Sequence, residues 1–513
     1  MTTQRSALVI GSGFAGLSVA SFLAKAGWKV IVLEKNAGPG GRARQLKADG
    51  FLFDMGPSFY WMPDVFERYF AQFGKKVSDY YQLDRLDPSY RVYWEEGYTD
   101  LAADFETLKQ TFERIEPGSG AQLEKYLKEA LVKYEVGMGR FVQKPGLSLT
   151  EFMNWETISG ALKLQLLTSI SKHVAHHFKH PRLRQLMEFP VLFLGALPQD
   201  TPALYSLMNY ADIKGGTWFP RGGMYAVVEA MHQLALELGV EFKFNETVQS
   251  FTVESATSAT AKGLASGAKR KSSGSKGRIT QVVSSSGVFT ADVVVSGADY
   301  HFTEQKLLPA AYRVYSESYW QKRVMAPSCL MYYVGLNKKL KNPVHHSLFF
   351  DVSFATHGHE IYKDPKWPSE PQFYVSVSSA TDPSVAPPGC ENIVFLIPVA
   401  SGLSGDDEAL REYYFKKIVA RLEKQLGEPI MDSIVYKKMY SVADFKDDYN
   451  SFKGNAYGLA NTLLQTAVFR PACRSKKVDN LFYTGQLTVP GPGVPPSLIS
   501  GEVVATVCID AFK

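Results

Sequence analysis

Residues 7–16 read ALVIGSGFAG, an apolar run that ends in three spaced glycines, and an amphipathic stretch follows. This order predicts the strand, tight turn and helix of a dinucleotide-binding unit. Gly11 permits the turn, Gly13 lets a pyrophosphate approach bare backbone, and Gly16 allows the helix and strand to pack closely. Glu34 closes the next apolar run, where an acidic side chain can accept hydrogen bonds from a ribose. The segment therefore predicts a Rossmann-like α/β nucleotide-binding domain.

A second glycine cluster, Gly40-Gly41-Arg42, comes just after this unit. The Arg42 guanidinium can neutralise pyrophosphate charge that a helix dipole compensates only in part. Two plainer interpretations are a glycine turn that merely packs and an arginine exposed at the surface. The flanking apolar runs, the acid and the glycine cluster together favour nucleotide binding.

Residues 484–501, TGQLTVPGPGVPPSLISG, place four prolines and four glycines beside a predicted helix from Leu498 to Ala511. Together with the motifs above, FDMGPS at 53–58 and GGM at 222–224, this segment resembles the bacterial phytoene desaturases of the carotenoid and retinoid oxidoreductase family. These motifs span nearly the whole chain. The resemblance implies a discontinuous Rossmann-like FAD-binding domain of the flavin amine oxidase and GDI-like type, with an inserted α+β substrate domain.

The resemblance also assigns residues to the two ends of an FAD cofactor. Those at the ADP end are Gly11, Gly13, Gly16, Glu34, Gly41 and Arg42. Those at the flavin end are Gly56, Pro57, Gly485, Gly493, Val494 and Pro495. The backbone of Val248 would face the adenine, although an ordinary strand valine fits the sequence equally well. Gln486 stands where related flavin oxidases often carry an acid, so its contact with the cofactor stays open, and an amide can still hydrogen-bond there.

The predicted domains are interleaved along the chain of 513 residues, which exceeds what one core normally supports. Residues 1–60, 215–300 and 478–513 are assigned to the FAD-binding domain. Residues 61–214 and 301–477 are assigned to substrate-binding and membrane-facing regions.

A basic insertion occupies residues 255–278, which contain six lysines and arginines and no acid. Without these six, the 56 basic residues of the chain fall to 50, against 51 acidic residues. Because the insertion is rich in Ser, Ala and Gly, we expect a flexible, solvated hairpin extension. Attraction to anionic lipid headgroups is the alternative. Nucleic-acid binding is not expected, because no aromatic residues interleave the charges.

Four widely spaced cysteines without a CxxC pair indicate reduced thiols rather than disulfides or a zinc site. Residues 7–26 are apolar over about the length of a membrane span, but their glycine spacing indicates a phosphate-binding turn instead. We therefore expect a cytoplasmic protein that associates peripherally with the membrane.

The middle of the chain is strongly apolar. Residues 189–197 can be core or the wall of a substrate tunnel. One helical face carries Leu166, Ile170, Val174 and Phe178, which favours packing within its own domain over lying on a membrane. His173 and His177 share a face at a spacing of four residues, but no HExxH pattern supports them, so no metal site is predicted.

The resemblance implies an FAD-dependent oxidoreductase acting on CH–CH groups, which would desaturate phytoene towards lycopene in carotenoid biosynthesis. Its partners would be a hydrophobic polyene, a membrane surface, and oxygen or a quinone as the final acceptor. Asp54 and Glu502 are weak candidates for a general base, with a backbone cap and an outward helix position as their alternatives.

Other functions stay open. Within the resembling family, these are a hydroxycarotenoid 3,4-desaturase and a retinol saturase. Outside it, they are an amine oxidase, which needs a polar or aromatic cage for a cation, and a prenyl-binding escort protein without redox chemistry.

Overall fold

The computed structural model of the protein describes residues 4–148, 151, 165, 168–255 and 276–513. One half of the protein is built on a five-stranded sheet in which every neighbouring pair is parallel. In order across the sheet, the strands are Leu481–Tyr483, Val293–Ser296, Ser6–Ile10, Lys29–Leu33 and Glu241–Lys243. Strands from three distant parts of the sequence thus form one sheet. Apart from the edge strand Glu241–Lys243, they are mostly apolar, which is typical of parallel strands covered on both faces.

The helix Phe14–Lys25 follows the first strand and packs against the helix Val494–Ala511. A Cβ atom on Gly501 would lie 2.5 Å from the Oγ and Cβ atoms of Ser18, so a glycine is required where these helices cross. The C-terminal helix begins four residues before the predicted Leu498. Its first turn contains Pro495, a residue that helices tolerate there because the first N–H groups have no intrahelical acceptor.

Within the described residues, Val494–Ala511 is also the one helix long and apolar enough to cross a bilayer, with a mean hydropathy of 1.3. Nearly half of that stretch is buried inside the protein, against the helix Phe14–Lys25. The same apolar character is typical of a core helix.

The second half of the protein is built on a seven-stranded sheet. In order, its strands are Ile434–Tyr440, Ser328–Leu336, Glu391–Val399, Phe373–Ser376, His346–Phe349, Tyr90–Tyr93 and Tyr98–Leu101. Only the pair His346–Phe349 and Tyr90–Tyr93 is parallel among these described strands. The helix Glu408–Leu426 covers one face, where Phe415 packs 5.1 Å from Tyr332, measured between ring centroids.

A helical layer packs beside this sheet. Its helices are Phe105–Ile115, Ser119–Val136, Ile170–His177, Pro181–Glu188 and Leu207–Ile213. Ile170, Val174 and Phe178 are completely buried in it, so the membrane alternative for this helical face is wrong and the core interpretation holds. Leu166 lies outside the described residues. Phe189 and Val191, in the apolar run at 189–197, belong to the same core.

The remaining elements are short or peripheral. The strands are Gln45–Ala48, Phe51–Asp54, Leu83–Arg85, Trp218–Pro220 and Val288–Phe289. The helices are Pro63–Ala71, Tyr225–Glu237, Glu317–Gln321, Phe354–Tyr362 and Val442–Tyr449. The strands Val248–Ser255 and Gly277–Ser284 form an antiparallel hairpin, with Ser255 opposite Gly277. The predicted basic insertion between them lies almost wholly outside the described residues.

Candidate functional site

A cleft runs from the carboxyl ends of the parallel strands to the start of the C-terminal helix. Ligands of open α/β sheets bind at this edge. The predicted residues that line it are Gly11, Gly13, Glu34, Gly41, Arg42, Gly56, Pro57, Val248, Gly485, Gln486, Gly493 and Val494. Gly16 and Pro495 do not line it. A Cβ atom on Gly16 would lie 2.0 Å from the Gly11 carbonyl oxygen, so this glycine serves close packing behind the cleft.

The glycine-rich end of the cleft is walled by bare backbone. A Cβ atom on Gly13 would meet nothing closer than the Gly40 carbonyl oxygen and the Gly41 Cα, both at 4.0 Å. The helix that begins at Phe14 has no side-chain cap and no acid in its first turn. Its first N–H groups and its dipole are therefore available to an anion, and this end of the cleft fits a pyrophosphate.

Glu34 is buried and rigidly held beside the glycines. Its Oε2 accepts hydrogen bonds from the backbone N–H and the hydroxyl of Ser12, at 2.8 and 2.9 Å. Its Oε1 accepts from the backbone N–H and the side-chain amide of Asn36, both at 2.9 Å. The Ser12 and Asn36 side chains can rotate away from Glu34. Ribose hydroxyls can then donate to the Glu34 carboxylate in place of these two side-chain donors.

Arg42 presents a partly buried cation to the cleft. Its Nη2 donates to Ser451 Oγ at 3.1 Å, and its guanidinium lies 5.1 Å from the centre of the Tyr449 ring. Its Nε is buried and lacks a hydrogen-bond partner. Burial lowers the pKa of Arg42, although the Asp299 carboxylate opposes that shift. A cation with a buried, unsatisfied donor fits a phosphate oxygen, which supplies the missing acceptor.

Several polar residues that the sequence analysis did not single out line the cleft, among them Asp299, Glu246 and Tyr449. Asp299 lies three residues after a buried parallel strand, a position from which it could have been predicted. Its carboxylate accepts from the N–H groups of Phe302 and Phe452, both at 3.1 Å. No local motif marks Tyr449, because it lies at the end of the helix Val442–Tyr449, which follows a strand of the other large sheet.

At its other end the cleft meets the proline-rich segment and becomes apolar. Gly493 has a φ of 114°, and the helix that follows it again has no side-chain cap. Gln486 Nε2 donates to Asn455 Oδ1 at 3.2 Å. The uncharged residues that line this part are Cys329, Met331, Leu396, Phe445 and Tyr457. Burial raises the pKa of the Cys329 thiol to about 12 and raises the pKa of Tyr457 well above its usual value, so both are neutral at physiological pH.

The two candidate general bases lie away from the cleft. Asp54 accepts from the backbone N–H groups of Met224 and Tyr225, at 2.7 and 3.1 Å, and so caps the helix Tyr225–Glu237. Burial raises the pKa of Asp54 to about 7. Glu502 pairs with both terminal nitrogens of Arg68, at 2.8 and 3.2 Å. The structure therefore gives both acids a structural partner, as their alternatives anticipated.

The two neighbouring histidines meet a third residue that the sequence did not indicate. Glu129, from the helix Ser119–Val136, brings a carboxylate oxygen to 3.8 Å from the Nε2 atoms of both His173 and His177. These three ligand atoms lie within 4.8 Å of one another. However, Lys133 Nζ lies 3.3 Å from His173 Nε2, the atom that a metal would need. The absence of a metal stays a prediction.

Comparisons with known proteins extend over the whole of this architecture. The sequence profile described as flavin containing amine oxidoreductase matches residues 14–509. The carotenoid 3,4-desaturase of Haloarcula japonica is 41% identical over 504 residues, covering 98% of this chain and 97% of that protein. The zeta-carotene-forming phytoene desaturase of Myxococcus xanthus is 30% identical over 508 residues, covering 98% and 93%.

Among solved structures, an oxidoreductase from Methanosarcina mazei superposes with a TM-score of 0.61, covering 97% of this chain and 99% of that one. Its sequence identity is 15%, so this likeness concerns the fold alone.

Proposed function

Because the chain belongs to the flavin containing amine oxidoreductases and, within them, to the carotenoid desaturases, we propose that it introduces conjugated double bonds into a carotenoid substrate. Membership confirms the predicted α/β fold of the flavin amine oxidase type, the FAD cofactor and the class of enzyme. Residues 1–60, 215–300 and 478–513 would form the cofactor-binding domain, and residues 61–214 and 301–477 the substrate regions.

The cleft residues divide between the two ends of the cofactor in this proposal. Gly13, Gly41 and Arg42 would hold the pyrophosphate, and Glu34 the ribose. Gly485, Gln486, Gly493 and Val494 would hold the flavin end, with the adenine against the backbone of Val248. FAD supplies the redox chemistry, since it accepts the hydrogen equivalents that desaturation removes from two adjacent carbons.

The observation that carries the proposal is the uncharged wall at the flavin end of the cleft. Cys329, Met331, Leu396, Phe445 and Tyr457 contribute no ionised group there. A hydrocarbon polyene has no polar handle, so selectivity must come from shape, and rate from positioning the reacting carbons while water is excluded. An amine oxidase would need a polar or aromatic cage for a cation; this wall contains the rings of Phe445 and Tyr457, but its five side chains offer an amine no ionised partner.

Phytoene, desaturated towards lycopene, is the first candidate substrate. It is wholly hydrocarbon, which an uncharged wall accommodates, and phytoene desaturation is named for a relative that aligns over nearly all of the chain. A hydroxycarotenoid desaturated at its 3,4 bond is the second candidate. The identity of 41% to a carotenoid 3,4-desaturase, against 30% to the phytoene desaturase, favours this second candidate.

The remaining parts of the proposal concern the surroundings of the reaction. A polyene of this kind partitions into bilayers, so the enzyme would be cytoplasmic and dock on the membrane to collect it. Oxygen or a quinone would reoxidise the cofactor.

The test is to purify the protein with its flavin, supply phytoene and a hydroxycarotenoid in liposomes, and identify the products by chromatography. A colourless protein that binds polyenes without changing them would instead be an escort protein.

A further inference from the structure

Four large apolar side chains project into solvent from neighbouring loops. Their exposed fractions are 46% for Leu147, 46% for Val324, 71% for Leu464 and 52% for Phe469. Side chains of this size are usually buried, and a group of them on one surface indicates contact with another apolar phase.

Direct contacts bring these loops together. A Cβ atom on Gly146 would lie 3.3 Å from the Ala467 carbonyl oxygen, which places the Leu147 loop against the 464–469 loop. Gln465 accepts from the backbone N–H of Val324 at 3.0 Å and donates to its carbonyl at 2.8 Å. The exposed side chains therefore belong to one surface, the docking face, defined as Leu147, Val324, Leu464 and Phe469.

The charge around the docking face is mainly positive. Residues 141–148, 320–326 and 462–474 contain no aspartate or glutamate. One acid lies beside them, Glu151, whose carboxylate accepts from the backbone N–H of Leu147 at 2.9 Å. The basic residues of these segments are Lys144, Lys322, Arg323, Arg470 and Arg474. Arg470 is buried, whereas Lys322 is exposed next to Val324. Apolar side chains flanked by cations are the combination that enters a bilayer interface with anionic headgroups.

The loops of the docking face are connected along the chain to the wall of the cleft. Leu459 pairs with Met325 in a β-bridge, and Ala456 and Tyr457, which lie three and two residues before Leu459, line the cleft. The strand Ser328–Leu336 follows Met325 and contributes Met331 to the same wall. Met325 and Leu459 are buried, so they form a packed layer between the docking face and the cleft wall.

We propose that the docking face seats the protein on a bilayer that contains anionic lipids and admits the polyene to the cleft. The inference rests on the proposed function, since a hydrocarbon substrate is what makes a membrane the relevant partner. From the sequence, the helical face of Ile170, Val174 and Phe178 is an alternative membrane contact. That face is buried, so the docking face is the proposed membrane contact instead.

Vesicle flotation tests the docking face. Flavin-loaded protein is mixed with vesicles of phosphatidylcholine and phosphatidylglycerol, and the variant carries Leu464→Ser and Phe469→Ser. Binding should weaken by about tenfold or more, because two apolar side chains leave the interface. The matched control carries Leu236→Ser and Val435→Ser, which are 46% and 53% exposed elsewhere, and should bind as the wild type does. Equal binding by both variants would overturn the proposal.

A labelled protein keeps the test decisive if the double variant folds poorly. Phe469→Cys is coupled to a polarity-sensitive dye, with Val435→Cys as the control site. Vesicles should shift the emission to shorter wavelength at position 469 and leave it unchanged at position 435. An unchanged emission at position 469 would contradict the proposal. Vesicles of phosphatidylcholine alone should bind less tightly, because the cations around the face then lose their partners.

Detergent separates failure of the docking face from failure of the proposed function. With a polyene in detergent micelles, the Leu464→Ser/Phe469→Ser variant should reduce its flavin as fast as the wild type, and with the polyene in vesicles more slowly. Equal rates of flavin reduction by the variant and the wild type in vesicles would contradict the docking face but not the proposed function. If no polyene reduces the wild-type flavin in either medium, the proposed function fails while the vesicle-binding result still judges the docking face.

Discussion

Gly13 and Gly41 face each other at the narrow end of the cleft, where a Cβ atom on Gly41 would lie 3.3 Å from the Cα of Gly13. Both walls are backbone here, and the uncapped start of the helix Phe14–Lys25 lies beside them. This arrangement gives a phosphate group direct access to N–H groups. Glycines that leave room for a cofactor can therefore be distinguished from glycines that allow the fold to pack closely.

Gly13→Val should abolish FAD binding while the protein still folds. Gly13 has a φ of −70°, which any residue adopts, and a Cβ atom there meets only ordinary contacts at 4.0 Å. The valine methyls would instead occupy the cleft. Flavin absorbance per mole of protein, measured together with thermal unfolding, checks this. A folded Gly13→Val protein with a full flavin complement would show that the phosphate assignment is wrong.

Gly16→Ala is the matched contrast, because its Cβ would lie 2.0 Å from the Gly11 carbonyl oxygen. Here the added methyl meets the strand rather than the cleft. We expect a loss of about 1–3 kcal/mol in the free energy of unfolding, or no folded protein at all. Urea unfolding measures it, and a Gly16→Ala protein as stable as the wild type would contradict the packing role.

Arg42→Ala should weaken FAD binding by about 1.5–3 kcal/mol, since a charge-assisted hydrogen bond is lost. Titration of the apoprotein with FAD, followed by quenching of flavin fluorescence, gives the dissociation constant. Arg42→Lys keeps the positive charge but loses the Nε donor. Its dissociation constant for FAD should lie between those of the wild type and Arg42→Ala. An unchanged affinity in Arg42→Ala would mean that this guanidinium only joins Ser451 to the cleft wall.

Local motifs predicted the strand, the glycine turn and the helix at the glycine-rich end of the cleft. The assignment of these residues to the cofactor stays a prediction. The local backbone fixes the positions of GSGFAG, Glu34 and the glycine pair before Arg42. Their spacing in the sequence therefore predicts their geometry. The strand before GSGFAG and the helix after it lie where that spacing indicates.

The rest depended on tertiary packing. No local sequence pattern predicts that the strand His346–Phe349 pairs with the strand Tyr90–Tyr93, or that Glu129 lies beside His173. The partner that defines the role of Asp54, the start of the helix Tyr225–Glu237, lies far along the chain. The docking face is likewise invisible in sequence, because its four side chains come from three separate loops.

Asp54→Asn should leave flavin reduction nearly unchanged and alter the pH dependence of stability. Burial raises the pKa of Asp54 from 3.8 to about 7, so the folded protein holds this proton more tightly than the unfolded chain. The stability from this group is fully present below pH 3.8 and is lost as the pH rises through about 7. Urea unfolding should therefore show the wild type losing stability relative to the variant over this range. A difference independent of pH would contradict this account, and loss of flavin reduction would restore Asp54 as a base.

Replacing residues 256–276 by Asn-Gly should leave folding and flavin content intact. Ser255 and Gly277 are opposite each other in the hairpin, so a two-residue turn can join them. Thermal unfolding and flavin absorbance check this, and a cooperative loss of stability would show that the segment packs. Vesicle binding should persist, since the docking face remains; its loss would assign lipid binding to the insertion instead.

Anaerobic incubation of the oxidised, FAD-loaded enzyme with carotenoids in liposomes tests the central claim most directly. With phytoene, or with a hydroxycarotenoid that carries a saturated 3,4 bond, the visible flavin absorption should disappear as a product with longer conjugation forms. The stoichiometry should be one double bond per flavin, without consumption of NAD(P)H. The substrate that bleaches the flavin decides between the two candidates. If every carotenoid leaves the flavin oxidised while an amine reduces it, or while retinol reoxidises flavin that has been reduced beforehand, carotenoid desaturation is contradicted.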